Sequence, residues 1–233
     1  MLGTREIVLL LAALGLSLLG FVFPLRNFSK KLALRTLLFH ALFAGVVLTE
    51  VALLERFKFF ESRTFEQAYF GSFWIRVTVC VLSLDLLSYW WHRLNHNFGL
   101  LWKLHKFHHK TEFMDPLAAY RFHPVEVFLG YQLRAFVIWS LGFGVQELGM
   151  FILIYGTLNL FQHSNLRLPE RFEQILSLIL VTPRIHHMHH LRDKSSQNSN
   201  YATVFIFWDR LFGTYTAPGV IRENDIGLDW SQK

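Results

Sequence analysis

The residues of this sequence that could perform chemistry are histidines concentrated in three short groups. Among 12 histidines, the groups are HRLNH at His92–His96, HKFHH at His105–His109 and HHMHH at His186–His190. On a helix, positions i, i+3 and i+4 lie within about 100° of one another, so each group can direct its imidazoles toward one point. Histidines that merely sit at the lipid headgroup level would not repeat this spacing. The pattern therefore predicts metal ligation.

The number of candidate ligands indicates more than one metal ion. The groups supply eight candidates when His187, toward the edge of the ligand face, is left out, and His163 in NLFQHSN supplies a ninth. Because four ligands complete a structural zinc site, this number predicts two metals, with room for oxygen or substrate. Imidazole suits zinc, copper, iron and nickel, so the spacing leaves the metal open. The candidate set is His92, His96, His105, His108, His109, His163, His186, His189 and His190.

Membrane helices are the elements expected to position these histidines. A hydrophobic share of 52%, only 17% charged residues and a mean hydropathy of +0.30 exclude a disordered chain and disfavour a water-soluble globule. Three apolar segments are predicted to span a membrane, Ile7–Leu25, Leu32–Leu54 and Phe73–Trp91. For the first segment, a cleaved signal peptide is the alternative.

A fourth apolar stretch, Val127–Phe161, is predicted to form a helical hairpin. Gly142 and Gly144 divide it into two halves that are each barely long enough to cross a bilayer. An even number of crossings returns the chain to the side it left. The second and third histidine groups can then meet on one side of the membrane.

Charge indicates that this side is cytoplasmic. Residues 26–35 and the segment after Trp91 are rich in Lys and Arg, and both lie on the histidine side if three helices precede the histidines. The formal net charge of +6 suits anionic lipid or an acidic protein partner, and nothing in the sequence resembles a nucleic-acid reader. The single cysteine, Cys80, excludes an intramolecular disulfide.

Further motifs accompany the histidine groups in a fixed order. They are RFHP at Arg121–Pro124, HSNLRLP at His163–Pro169, TPRIHHMHH at Thr182–His190, the pair Asn200–Tyr201 and WDRLFGTY at Trp208–Tyr215. From about Asp85 to Tyr215 the chain resembles the fatty acid hydroxylase/sterol desaturase superfamily of integral-membrane non-haem di-iron enzymes. The resemblance implies an all-α fold, a multi-pass membrane helical bundle with a cytosolic histidine-rich metal-binding cap. We expect N-terminal transmembrane helices and a loop over 1–72, the catalytic domain over 73–216 and a polar tail over 217–233.

The resemblance also implies the cofactors and the reaction. The HxxxH motif of the superfamily falls on the first histidine group, its two HxxHH motifs on the second and third groups, and its isolated central histidine on His163. These ligands imply two iron ions, with O2 as co-substrate, and hydroxylation or desaturation of a lipid. The reaction needs two electrons, and the chain contains no haem, flavin or iron–sulfur motif. A separate ferredoxin- or cytochrome-type donor is therefore expected.

Four residues are expected to support the ligands: Asp85, His123, Asn159 and Asp193. Asp85 lies ~10 Å along the helix from His92, too far to share a metal. Its carboxylate is expected either to orient an imidazole from another helix or to pair with an arginine or a backbone amide. His123 belongs to the RFHP motif, and Asn159 stands where some superfamily members carry another histidine. Asp209 in WDRLFGTY is expected to be structural.

Three other functions remain open at this stage. An inactive relative would bind lipid or a partner, a metal transporter would use intramembrane carboxylates, and a membrane cytochrome would place histidine pairs within the bilayer. The intact histidine groups favour the oxygenase over all three. The lipid, whether fatty acyl, sterol or isoprenoid, and the outcome, hydroxylation, desaturation or ether cleavage, depend on pocket shape and are not readable from the sequence.

Overall fold

The computed structural model describes residues 71–219, 221 and 225–228, together with residues 11, 12, 15, 16, 18–20, 22, 23 and 25. Within these residues every regular element is helical, and strand-like pairing is limited to two isolated bridges, Leu180 with Phe205 and Leu191 with Ile226. The predicted all-α class is therefore confirmed for the described chain. The predicted span Leu32–Leu54 lies outside the described residues.

The first helix whose bounds the structure gives, α1, covers Phe73–Asn97 and is central to the fold. Among the described residues it alone is long and apolar enough to cross a membrane by length and composition. It extends six residues beyond the predicted end at Trp91, because no Pro or Gly interrupts it before Phe98 adopts an extended conformation. His92 and His96 therefore lie on its last turns.

Helix α2, Gly99–His109, follows directly and carries the second histidine group. A short 3-10 helix, Pro116–Tyr120, comes next. The carboxylate of Asp115 caps it by accepting hydrogen bonds from the Leu117 and Ala118 amides, and it also forms an ion pair with Arg121 at 2.6 Å. This capped turn connects α2 to the next long helix, Pro124–Leu141.

The predicted hairpin is confirmed as two helices, α3 at Pro124–Leu141 and α4 at Val145–His163. Gly142 ends α3 in the left-handed region, at φ 68°, which glycine adopts without a steric penalty. Glu147 accepts a hydrogen bond from the Gly144 amide and pairs with Arg76 of α1 at 2.8 Å. The hairpin is thereby fixed against α1, and His163 stands at the end of α4.

The remaining helices are short and form a cap over the ends of α1 and α4. They are α5 at Glu170–Leu176, α6 at Pro183–His189, α7 at Lys194–Gln197 and α8 at Phe207–Leu211. An apolar cluster that includes Tyr89 of α1 and Ile185 of α6 joins the cap to the long helices. Asp209 accepts hydrogen bonds from the Tyr201 and Ala202 amides, so its predicted structural role is confirmed.

The described N-terminal residues pack against the same body. Ala12 and Leu16 contact an apolar cluster that includes Leu117 and Leu160. The Leu25 amide donates to the Asn165 carbonyl at 2.7 Å. The part of the predicted Ile7–Leu25 helix that is described therefore lies beside α4.

Candidate metal centre

Two clusters of histidine nitrogens lie where α1, α2, α4 and α6 converge. Within each cluster, one nitrogen from every histidine lies within 4.8 Å of the others. The five-histidine cluster contains His92, His96, His105, His109 and His189, and the four-histidine cluster contains His108, His163, His186 and His190. The nine candidate histidines, eight from the spaced groups and the isolated His163, are thus all brought into one of the two clusters.

The HxxHH motifs divide their histidines between the clusters. In α2, His105 and His109 enter the five-histidine cluster, whereas His108 enters the other. The third histidine group does the reverse, because only its i+3 residue, His189, joins the five-histidine cluster. Residues at i and i+4 therefore share a cluster, and residue i+3 reaches across to the other one. The sequence pattern had predicted one converging set for each group.

The two clusters are immediate neighbours. The rings of His109 and His190, one from each cluster, stack at 4.5 Å with an interplanar angle of 25°. Between the clusters, the ring of His105 also lies 5.4 Å from that of His108, and the ring of His186 lies 5.6 Å from that of His189. Metal ions held by the two clusters would therefore be neighbours as well.

The nitrogens that face each other inside the clusters are buried and fit metal ligation. Nε2 of His92, His105 and His189 has no hydrogen-bond partner among the described residues. Other Nε2 atoms face one another at hydrogen-bond distance: His96 with His109 at 3.1 Å, and His163 with His186 at 2.9 Å. Buried polar atoms normally have partners, so this convergence fits a shared cation.

The opposite ring nitrogens of four histidines are held by oxygen atoms. Nδ1 of His92, His163 and His189 contacts the backbone carbonyls of Tyr201 at 2.8 Å, Asn159 at 2.7 Å and Ser199 at 2.7 Å, respectively. Nδ1 of His105 contacts the Glu126 carboxylate at 2.7 Å. An Nδ1–H donated to an oxygen leaves the Nε2 lone pair free, which is the arrangement a metal-binding histidine requires.

Electrostatics keep these rings neutral. Burial lowers the pKa of six histidines of the second and third groups well below 6.5, and the charge of neighbouring imidazoles lowers it further. The six are His105, His108, His109, His186, His189 and His190. Neutral imidazole is the form that binds metal, so the site is prepared to accept cations near neutral pH.

The two clusters differ in their access to solvent. His92 and His96 are half-buried, whereas every histidine of the four-histidine cluster is buried. The indole of Trp102 and the ring of Tyr201 flank His96 at 5.0 and 5.2 Å. The more exposed rings of the centre therefore belong to the five-histidine cluster.

Of the four residues expected to support the ligands, only Asn159 contacts a clustered histidine. Asp85 accepts hydrogen bonds from the Val204 and Phe205 amides and from the Trp208 indole, and among the described residues it contacts no imidazole. The expectation that it orients an imidazole is therefore corrected in favour of the backbone-amide alternative. The reason is that the loop after Tyr201 folds over α1 and presents its amides to this buried carboxylate.

His123 and Asp193 are helix caps. His123 accepts a hydrogen bond from the Val125 amide at the start of α3, and Asp193 accepts one from the Ser196 amide at the start of α7. Neither residue belongs to a cluster. Asn159 does support a ligand, through its backbone carbonyl to His163, while its side-chain oxygen accepts a hydrogen bond from Gln162.

Sequence reasoning missed Glu126, the carboxylate that contacts His105. The available signal was an acidic residue three positions after His123 in an otherwise apolar segment. His187 was left out of the ligand set, and it lies outside both clusters with its Nε2 at 3.1 Å from the Ser164 carbonyl.

Comparison with known proteins gives matches over most of this region. The family model described as fatty acid hydroxylase matches residues 77–214. The chain is 34% identical over 137 residues to alkylglycerol monooxygenase of Danio rerio, covering 58% of this chain and 29% of that protein. It is 26% identical over 168 residues to ornithine lipid hydroxylase OlsE of Rhizobium tropici, covering 69% and 50%.

A third relative is lathosterol oxidase of Mus musculus, at 30% identity over 156 residues, covering 64% of this chain and 49% of the relative. The chain therefore spans between under a third and one half of the length of these relatives. No solved structure matches the chain. The matched residues 77–214 contain all nine clustered histidines.

Proposed function

The chain belongs to the fatty acid hydroxylase family, and from this premise we propose that it is a membrane-bound, non-haem di-iron oxidoreductase. It uses O2 to hydroxylate or desaturate a lipid. The observation that carries the proposal is the pair of adjacent clusters, which together gather nine buried or half-buried histidines. A purely structural zinc site needs only four ligands, so the second cluster and the half-buried edge favour a reactive centre.

All-imidazole ligation is compatible with iron, and the family membership favours iron over the other metals that imidazole suits. When bound, two iron ions would supply the redox chemistry that activates O2 against an unactivated C–H bond. The chain contributes the ligands, holds four of them in the required orientation through Nδ1 contacts, and buries the centre away from water.

The substrate proposed is a lipid that enters from the membrane. The relatives' names refer to alkylglycerol, ornithine lipid and lathosterol, and these molecules share a large apolar part. The outer face of α3 exposes Phe128, Phe136 and Trp139 to between 51% and 63%, which suits contact with acyl chains. We place the chain as a multi-pass integral membrane protein with its metal centre on the cytoplasmic side.

Hydroxylation requires an external reductant. One C–H bond and one O2 molecule, with two electrons and two protons, give one C–OH group and one water molecule. We propose that the electrons come from a separate ferredoxin- or cytochrome-type protein. Lys103 and Lys106 lie on α2 beside the centre, where they would attract an acidic donor.

The proposal is tested by counting metal and identifying product with the full chain. We expect about two irons per chain after anaerobic purification, and we expect oxidised lipid in cells that express the protein but not in cells that lack it. His108→Ala should lose iron and product while the protein remains inserted in the membrane. His187→Gln is the control, because His187 is a buried histidine of the third group that lies outside both clusters.

Three results would contradict the proposal. Wild-type protein that holds no iron under these conditions would contradict the assignment of the two clusters as a metal centre. Full turnover by His108→Ala would remove the assignment of the four-histidine cluster. Iron retention without any change in cellular lipids, when an electron donor is supplied, would favour the inactive lipid-binding alternative.

A further inference from the structure

Glu126 lies at the junction of three helices beside the five-histidine cluster. Its side chain is in the first turn of α3 and is 3% exposed. Oε1 contacts Nδ1 of His105 on α2 at 2.7 Å and accepts a hydrogen bond from the amide of Asn95 on α1 at 3.1 Å. This one carboxylate therefore links α1, α2 and α3 beside the cluster.

The contact with His105 differs in kind from the other contacts that orient ligands. His92, His163 and His189 rest on neutral backbone carbonyls, whereas among the described residues Glu126 is the only carboxylate in contact with a clustered histidine. Carboxylate–histidine–metal arrangements fix the imidazole tautomer and raise the basicity of the ligand. His105 is thus prepared to be a stronger donor than its neighbours.

An ionised Glu126 would also lack a cationic partner within the described chain. Its ion-pair contact is to His105, and Oε2 is buried with no hydrogen-bond partner among the described residues. A buried carboxylate is costly unless positive charge lies close to it. A metal cation on the far side of the His105 ring would provide that charge.

We propose that Glu126 is a positioning residue that orients His105 and strengthens cation binding in the five-histidine cluster alone. This inference rests on the proposed function only in requiring that the clusters bind metal. It makes the two metal positions unequal, since the four-histidine cluster has no carboxylate behind any ligand within the described residues.

The test is a titration of metal-free full-length protein with Co²⁺, followed by its visible absorption, with no turnover required. Wild type should bind two Co²⁺. Glu126→Ala should bind one of them 10- to 100-fold more weakly, the range typical for loss of an outer-sphere partner, and leave the other unchanged. Glu126→Gln keeps an oxygen that can accept from Nδ1–H, so its loss should be smaller than that of the alanine variant.

Glu147→Gln is the matched control, because Glu147 is a buried glutamate of the same hairpin, at 4% exposure, paired with Arg76 far from the histidines. It should leave both Co²⁺ affinities unchanged, although it removes a comparable ion pair. Thermal unfolding of the metal-free variants separates loss of fold from loss of ligand orientation.

The outcomes distinguish the inference from the proposed function. Two Co²⁺ bound equally well by Glu126→Ala and wild type would overturn the inference and leave the metal centre intact. Equal weakening of both positions would also overturn it, since a general loss of structure would then explain the result. Wild type that binds no Co²⁺ would instead contradict the proposed function.

Discussion

Replacing Asp85 by alanine tests the account of how the cap is attached to α1. The Asp85 carboxylate is 0% exposed and accepts three hydrogen bonds, from the amides of Val204 at 3.0 Å and Phe205 at 3.1 Å and from the Trp208 indole at 2.9 Å. Each buried donor left without an acceptor costs about 1 to 3 kcal/mol. Loss of all three should therefore lower the free energy of unfolding by at least about 3 kcal/mol.

Thermal unfolding of metal-free protein in a fixed detergent measures this effect. For a chain of this size, 1 kcal/mol corresponds to about 2 to 4 °C, so the expected decrease in Tm is about 6 to 12 °C. Asp193→Ala is the control, because Asp193 is an exposed cap of a four-residue helix, and its loss should cost about 1 kcal/mol. Similar decreases for the two variants would refute the reasoning that burial and three donors make Asp85 the main attachment.

Three further predictions concern the clusters and the hairpin. His108→Ala leaves the four-histidine cluster with three imidazoles, whereas His109→Ala leaves the five-histidine cluster with four, so His108→Ala should lose more iron. Elemental analysis measures the iron, and equal losses would contradict the division of the histidines between two clusters. Gly142→Ala should lower the free energy of unfolding by about 1 kcal/mol or more because φ at Gly142 is 68°. Gly149→Ala, in open space within α4, should instead raise it by up to about 1 kcal/mol, and the Tm of each variant measures the change. Removal of the metal by a chelator should lower the Tm, since metal at about 100-fold over its Kd adds about 2.7 kcal/mol per site to the free energy of unfolding. An unchanged Tm would show that the folded protein does not hold the metal.

Local periodicity accounts for the part of the site that could be predicted from the sequence. The i, i+3, i+4 spacing identifies histidines that share one side of a helix, and the structure brings these histidines together. The helical hairpin could also be predicted from the sequence, because Gly142 marks a helix end through its backbone conformation. Both features depend on residues that are close in the chain.

The division of each HxxHH motif between two clusters could not be predicted in this way. Helical spacing gives the direction of a side chain from its own axis, but the cluster it enters depends on how α2 and α6 face each other. The same limit applies to the carboxylates. Asp85 contacts an amide 119 positions away and Glu126 contacts a histidine 21 positions away, so the roles of the two acids follow from long-range packing.

The interleaved motifs have a consequence for how the two clusters are coupled. His108 and His109 are consecutive residues that serve different clusters, and so are His189 and His190. Consecutive Cα atoms are about 3.8 Å apart whatever the packing around them. Covalent geometry, applied once in α2 and once at the end of α6, thus ties each cluster to the other. A substitution that shifts either of these segments should therefore displace ligands of both clusters together.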